Sequence, residues 1–151
     1  MTSLLQLKIK EYKAQGKKVV FTNGCFDLIH LGHIHYLAEA KELGDILIVG
    51  VNSDASVRRI KSADRPIKDE QSRMAIIQSL KMVDRAILFE EDTPLELIKS
   101  IVPDVLVKGG DWAIDQIVGS EIVLAHGGVV KSLSFIDGYS STALIEKIKK
   151  I

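Results

Sequence analysis

Five short apolar runs recur along the chain, within KKVVFTN, DILIVGVNS, RAILFE, DVLVKGGDW and VVKSLSF. Each is rich in β-branched or aromatic residues, continuous rather than alternating, and stopped by polar residues or glycine. Runs of that kind read as strands buried on both faces. The segments between them carry apolar residues at three- and four-residue spacing, the mark of helices. Strands that alternate with helices and hide both faces require a mostly parallel sheet covered on each side. The sequence is therefore expected to form one α/β domain over residues 1–151, with a leading helix in 1–16 and the sheet-bearing fold in 17–151.

The helical segments can be placed more closely. Ser3 to Gln15 reads as the leading helix, ended by Gly16. A second helix runs from His33 towards Gly44, with Ile34, Leu37 and Ala38 on one side. DASVRRIK is a short helix, and EQSRMAIIQSLKMV is a longer one with Met74, Ile77 and Leu80 aligned. In TPLELIKSIV, Thr93 is placed as N-cap, Pro94 at the first helical position and Glu96 as the reciprocal member of a capping box. AIDQIVGSEIVLAHGG is helical in part. SSTALIEKIKK closes the sequence as a helix with lysines in its last turn.

Composition excludes several functions. Lys plus Arg and Asp plus Glu each number 20, so the basic excess that nucleic acid or an anionic membrane would attract is missing. No apolar run approaches the length needed to cross a bilayer. The first residues alternate apolar side chains with lysines and lack the apolar block of a secretory signal. Cys25 is the sole cysteine, so no internal disulfide forms. These features fit a cytoplasmic protein with neither nucleic acid nor membrane as partner.

In parallel α/β sheets ligands bind beyond the C-terminal ends of the strands, near a switch in strand order. Three polar segments with glycine fall there: TNGCFDLIHLGH, KGGDW and DGYSST. The first holds His30-Leu31-Gly32-His33, whose two imidazoles can be read as a metal grip, an acid/base pair, an anion clamp or an ordinary helix start. A zinc site needs three or four ligands, and this spacing supplies two, with His126 remote and His35 at another angle on the helix. Cys25 is read as a small core residue rather than a nucleophile. Asn23-Gly24 lets the strand turn sharply. Gly32 at a helix start allows close approach of an anion to free amides, with both histidines beside it as donors. Such donors are the main tool of phosphoryl and nucleotidyl transfer.

The stretch TNGCFDLIHLGHIHYLAEAKELGD resembles the signature of the HxGH-type nucleotidyltransferases, the cytidylyltransferase-like superfamily. Far downstream, YSSTALI (Tyr139 to Ile145) matches that family's second marker, an ISSTxxI-like segment. The resemblance extends from about Lys17 to Lys149. Within the family, VNSDASVRRIKSADRPI, EQSRMAIIQSLKMVD, FEEDTPLELIKSIVPDVLVKGGDW and GSEIVLAHGGVV look most like the adenylyltransferase domain that makes ADP-heptose. The resemblance implies a Rossmann-like five-stranded sheet in the order 3-2-1-4-5. It also implies transfer of AMP from ATP to D-glycero-β-D-manno-heptose 1-phosphate by direct in-line attack on the α-phosphorus, releasing pyrophosphate. Many such domains follow a sugar kinase, for which this chain has no room, so a standalone form with a separate kinase is expected.

The resemblance assigns roles to particular residues. His30 and His33, with Lys61 and Arg73, would stabilise the transferring phosphates. Thr22, Asn23, Gly24, Cys25, Phe26 and Gly32 would line the nucleotide site from one side. Lys108, Gly109, Asp111, Ser140, Ser141 and Thr142 would line it from the other. Asp27 would orient a histidine, face Mg²⁺ or simply cap a turn; with Arg65 and Trp112 it is assigned to substrate. Mg²⁺ would arrive mainly on the ATP phosphates. Each assignment has a plainer alternative: Lys61 and Arg65 as charges of a solvated loop, Arg73 in a surface pair with Asp69 or Glu70, Trp112 in packing, and the hydroxyls of Ser140 to Thr142 as caps. A homodimer is expected from relatives. The competing functions are a cytidylyltransferase for glycerol 3-phosphate or a related alditol phosphate, and a non-catalytic nucleotide-binding module.

Overall fold

The computed structural model describes residues 3–151. It contains five strands: β1 Val19–Gly24, β2 Ile46–Asn52, β3 Arg85–Phe89, β4 Val105–Gly109 and β5 Val129–Leu133. Around them lie α1 Ser3–Ala14, α2 Leu31–Glu42, α3 Asp54–Ile60, α4 Glu70–Ser79, α5 Leu95–Ile101, α6 Ser120–Ala125 and α7 Ser141–Lys149, with one 3-10 turn at Ile114–Gln116. The strands form a single sheet in the order β3-β2-β1-β4-β5, and every pairing is parallel. The expected order and fold class hold, with no antiparallel strand in this sheet.

Strand alternation sorts the core into two layers. Val19 and Phe21 of β1, Ile46 and Ile48 of β2 and Leu106 of β4 point to the side covered by Ile9 of α1 and by Leu97, Ile98 and Ile101 of α5. Val20, Leu47, Val49, Val51, Val105 and Val107 point to the other side, where Tyr36, Leu37 and Ala40 of α2 and Ile77 of α4 cover them. Residues Val19 to Phe21 and Leu47 to Val49 have no exposed surface, and each such side chain contributes roughly 1.5–3 kcal/mol of burial free energy. This two-sided demand is why the runs read as continuous rather than alternating.

Aspartates stitch the N-terminal edge of the sheet. Asp45, Asp84 and Asp104, each just before a strand, accept the backbone N–H of Lys18, Leu47 and Val19 respectively at 2.7–2.8 Å. The opposite edge keeps its polar groups for the strand-end segments.

Some boundaries differ from expectation. α2 starts at Leu31, two residues before His33, because His30 takes the extended N-cap conformation. α4 stops at Ser79, since Leu80 is extended. The Gln78 side chain there accepts from the Ala86 N–H at 2.9 Å and ties the turn to β3. The Thr93 capping box does not form: Pro94 itself is the N-cap of α5, and Glu96 pairs with Lys99. Among the described residues no helix is long and apolar enough to cross a membrane.

Candidate active site

All five strands run the same way, so β1, β2 and β4 end on one edge. The sheet changes winding direction at β1, which lies between β2 and β4. Above that point opens a cleft of about 490 Å³. Asn23 to Asp27 form its floor, His30 and His33 one wall, and Lys108 and Gly109 the end of β4. Lys61 and Arg65 come from the loop after α3, and Ser140 to Thr142 from the start of α7. Residues far apart in the chain thus converge where the topology leaves room.

The histidine pair is built by local geometry. After β1 the chain turns through Phe26 in the left-handed region (φ 52°), a strained conformation for an aromatic residue. The Phe26 ring then packs edge-on to His33 at 5.4 Å between centroids. His30 caps α2, and its backbone N–H donates to His33 Nδ1 at 3.3 Å. The two imidazoles stack with centroids 3.8 Å apart. Burial, with the neighbouring His30 as a smaller cause, pushes the His33 pKa down to about 4, and burial also lowers His30. Both rings are therefore neutral at pH 7. Nδ1 of His30 is buried and has no hydrogen-bond partner among the described residues.

Gly32 serves this pair rather than a ligand. It is buried and does not line the cleft; a Cβ there would lie 2.9 Å from the His30 ring and 3.3 Å from Cβ of Tyr139. The expectation that Gly32 clears space for phosphate is replaced by a packing role. It lets His30 and Tyr139, whose rings stack at 6.3 Å, close over the helix start.

Lys61 and Lys108 supply positive charge. Burial first, and then repulsion from Lys61, lowers the Lys108 pKa. Neither lysine belongs to a salt bridge among the described residues, and the one nearby surface carboxylate, Asp92, is paired with Arg59 at 2.7 Å. Two cations that repel each other, in a cleft shared with two neutral imidazoles, make the local field favourable to an anion. Ser140 caps α7 by accepting from the Ala143 N–H at 2.9 Å, and Ser141 donates to the Leu28 carbonyl at 3.1 Å. The second contact pins the start of α7 to the histidine segment.

Other assigned residues lie elsewhere. Arg73 has no exposed surface and does not line the cleft. Its guanidinium donates to the carbonyls of Lys68, Cys25 and Asn52 at 2.7–3.0 Å and to Asp54 at 2.8 Å. It is enclosed away from the cleft, and its ion pair is with Asp54 rather than Asp69 or Glu70. Thr22 is fully buried under the floor, hydrogen-bonded to the Tyr36 hydroxyl and the Val107 carbonyl. Asp111 and Trp112 are exposed outside the cleft; the Trp112 indole donates to Gly109 and its ring lies 5.4 Å from Lys108 Nζ. Asp27 neither orients a histidine nor faces open space, because Arg65 and two loop amides occupy its carboxylate. Among the described residues no three His, Cys, Asp or Glu side chains gather as a metal site.

Sequence reasoning missed Tyr139 and Asn52, which both line the cleft. Asn52 ends β2 and its amide donates to Ser56 at 3.0 Å. Its place at a strand end was the available signal, and Tyr139 directly precedes the serine pair.

A nucleotide-sized cleft at the switch point of a parallel sheet, walled by HxGH histidines, defines an α/β nucleotidyltransferase-type site. The chain belongs to the cytidylyltransferase-like family, whose model matches residues 21–147. It is 52% identical over 141 residues to the bifunctional protein HldE of Geotalea uraniireducens, covering 93% of this chain and 29% of that protein. The bifunctional protein HldE of Citrifermentans bemidjiense is 55% identical over 135 residues, covering 89% and 28%. The chain thus spans under a third of these relatives' length. Among solved structures, the lipopolysaccharide core biosynthesis protein of Thermoplasma volcanium superposes with a TM-score of 0.64 at 38% identity, over 83% of this chain and 100% of that one.

Proposed function

We propose that this chain is an adenylyltransferase that joins AMP from ATP to D-glycero-β-D-manno-heptose 1-phosphate, giving ADP-heptose and pyrophosphate. The observation that carries the reading is the stacked His30–His33 pair in the same cleft as Lys61 and Lys108. Neither lysine is paired among the described residues, because the cleft's two carboxylates, Asp27 and Asp92, are taken by Arg65 and Arg59. The similarity to HldE proteins and to a lipopolysaccharide core biosynthesis protein supports a heptose-linked substrate.

In this reading an oxygen of the sugar phosphate attacks the α-phosphorus in line as the bond to pyrophosphate breaks, and the bridging oxygen leaves with its electron pair. No covalent enzyme intermediate forms. The protein's task is to position the reactants and to stabilise charge on the equatorial oxygens. His33, with Nδ1 engaged as acceptor, presents Nε2–H as donor. Lys61 and Lys108 offset the charge that builds on the departing pyrophosphate. Magnesium carried on the nucleotide phosphates would supply further charge neutralisation.

The test is pyrophosphate release with the heptose 1-phosphate, Mg²⁺ and ATP, CTP, GTP or UTP in turn. ATP should support turnover well above the others. Preference for CTP, with glycerol 3-phosphate as acceptor, would replace this assignment. No release from any pair would remove the enzymatic reading.

A further inference from the structure

Asp27 lies three residues before His30 and is 1% exposed, yet it is a full carboxylate. Its Oδ2 accepts from Arg65 Nε and from the Ile67 N–H, both at 2.8 Å; its Oδ1 accepts from the Lys68 N–H at 2.9 Å. Burial alone would raise its pKa, but those two amides and Arg65 outweigh it and hold the group below its ordinary value. With both oxygens occupied, Asp27 has little capacity left for a metal or a sugar hydroxyl.

What it leaves free is the outer edge of Arg65. That guanidinium gives Nε to Asp27, while its two terminal amino groups make no hydrogen bond among the described residues. The side chain is only 15% exposed and lines the cleft. An arginine clamped through one nitrogen, with its other donors open, is set for an anion with several oxygens. The reaction needs two anionic groups in the cleft, the nucleotide triphosphate and the acceptor phosphate. Arg65 stands on the 61–68 loop, a separate segment of the chain from the one that bears the histidines and from the start of α7.

Resting on the reading above, we propose that Asp27 is a positioning residue: it clamps Arg65 and the 61–68 loop so that the free guanidinium edge takes the phosphate of the acceptor sugar. Asp27 itself touches neither substrate nor metal. The Asp27→Asn amide would turn an N–H towards groups that are all donors and release Arg65.

The test is a double-mutant cycle on the full chain, with KM measured separately for each substrate. Asp27→Asn and Arg65→Ala should each raise the sugar 1-phosphate KM about tenfold or more, with the ATP KM changed less than about twofold. Asp27→Asn should add nothing in the Arg65→Ala background, and Arg65→Lys should not restore the wild-type KM. Multiplying effects, or a shift confined to ATP, would overturn the proposal. If Asp27→Asn does not fold, Arg65→Ala carries the test alone, and an unchanged sugar-phosphate KM sinks it. Should the wild-type chain release no pyrophosphate from any pair, the activity assignment fails separately. Calorimetry with inorganic phosphate then decides: binding lost in Arg65→Ala supports the clamp, and binding retained overturns it.

Discussion

His33 holds the backbone N–H of His30 through Nδ1 at 3.3 Å while the two rings stack at 3.8 Å. One imidazole therefore fixes the other's cap position and its own tautomer, with the proton on Nε2. His33→Ala removes this donor and the cap contact together. Turnover should fall by about 10²–10³-fold, the loss seen when one oxyanion donor is deleted, with the fold retained. Steady-state kinetics beside circular dichroism check it; near-normal turnover would make the pair structural.

The same burial makes the free protein sensitive to acid. The folded His33 pKa is about 4 against an ordinary 6.5, so between those values the unfolded chain binds more protons than the folded one. Stability rises with pH wherever that holds. The His33 contribution should therefore be intact above pH 6.5 and drain away as pH falls towards 4. His33→Gln should flatten this part of a Tm-against-pH curve, and identical curves for both proteins would contradict the assignment.

Gly32→Ala places a Cβ 2.9 Å from the His30 ring. The stacked ring must shift, an overpacking cost of about 1–3 kcal/mol that the roughly 1 kcal/mol helix preference of Ala over Gly offsets in part, so the net loss of stability should be modest. Displacing a donor by even an ångström costs far more in rate, so turnover should drop about tenfold or more. A variant with full activity would show that the His30 position is not critical.

Arg73 should behave as a structural residue. Arg73→Met strips partners from three backbone carbonyls and from Asp54, and breaking such a buried polar cluster costs about 3–5 kcal/mol. Urea unfolding should show a large drop in midpoint. If Arg73→Met were instead as stable as wild type and merely inactive, a direct catalytic role would have to be restored.

The alternation of strands and helices was legible because backbone period and burial are local. Val19 to Phe21 can satisfy two apolar layers only in the middle of a covered parallel sheet, and the neighbouring helical spacing supplies those layers. His30, His33, Lys108, Ser140 and Ser141 were legible as site candidates because strand ends in such sheets meet at one edge. The packing of Arg73, Asp27, Gly32 and Thr22 was not legible in this way, and the roles that the resemblance implies for them say nothing of it. Each of the polar three is defined by partners distant in sequence: Arg73 by Cys25 and Asn52, Asp27 by Arg65 and Lys68, Thr22 by Val107. A charge in a loop and a charge buried in a polar knot look alike in sequence, since the difference lies in which carbonyls and amides the fold brings within 3 Å. The sequence by itself determined the sheet and where its polar edge lies. Tertiary structure alone decided which of those polar groups stay free for an anion and which are spent holding the edge together.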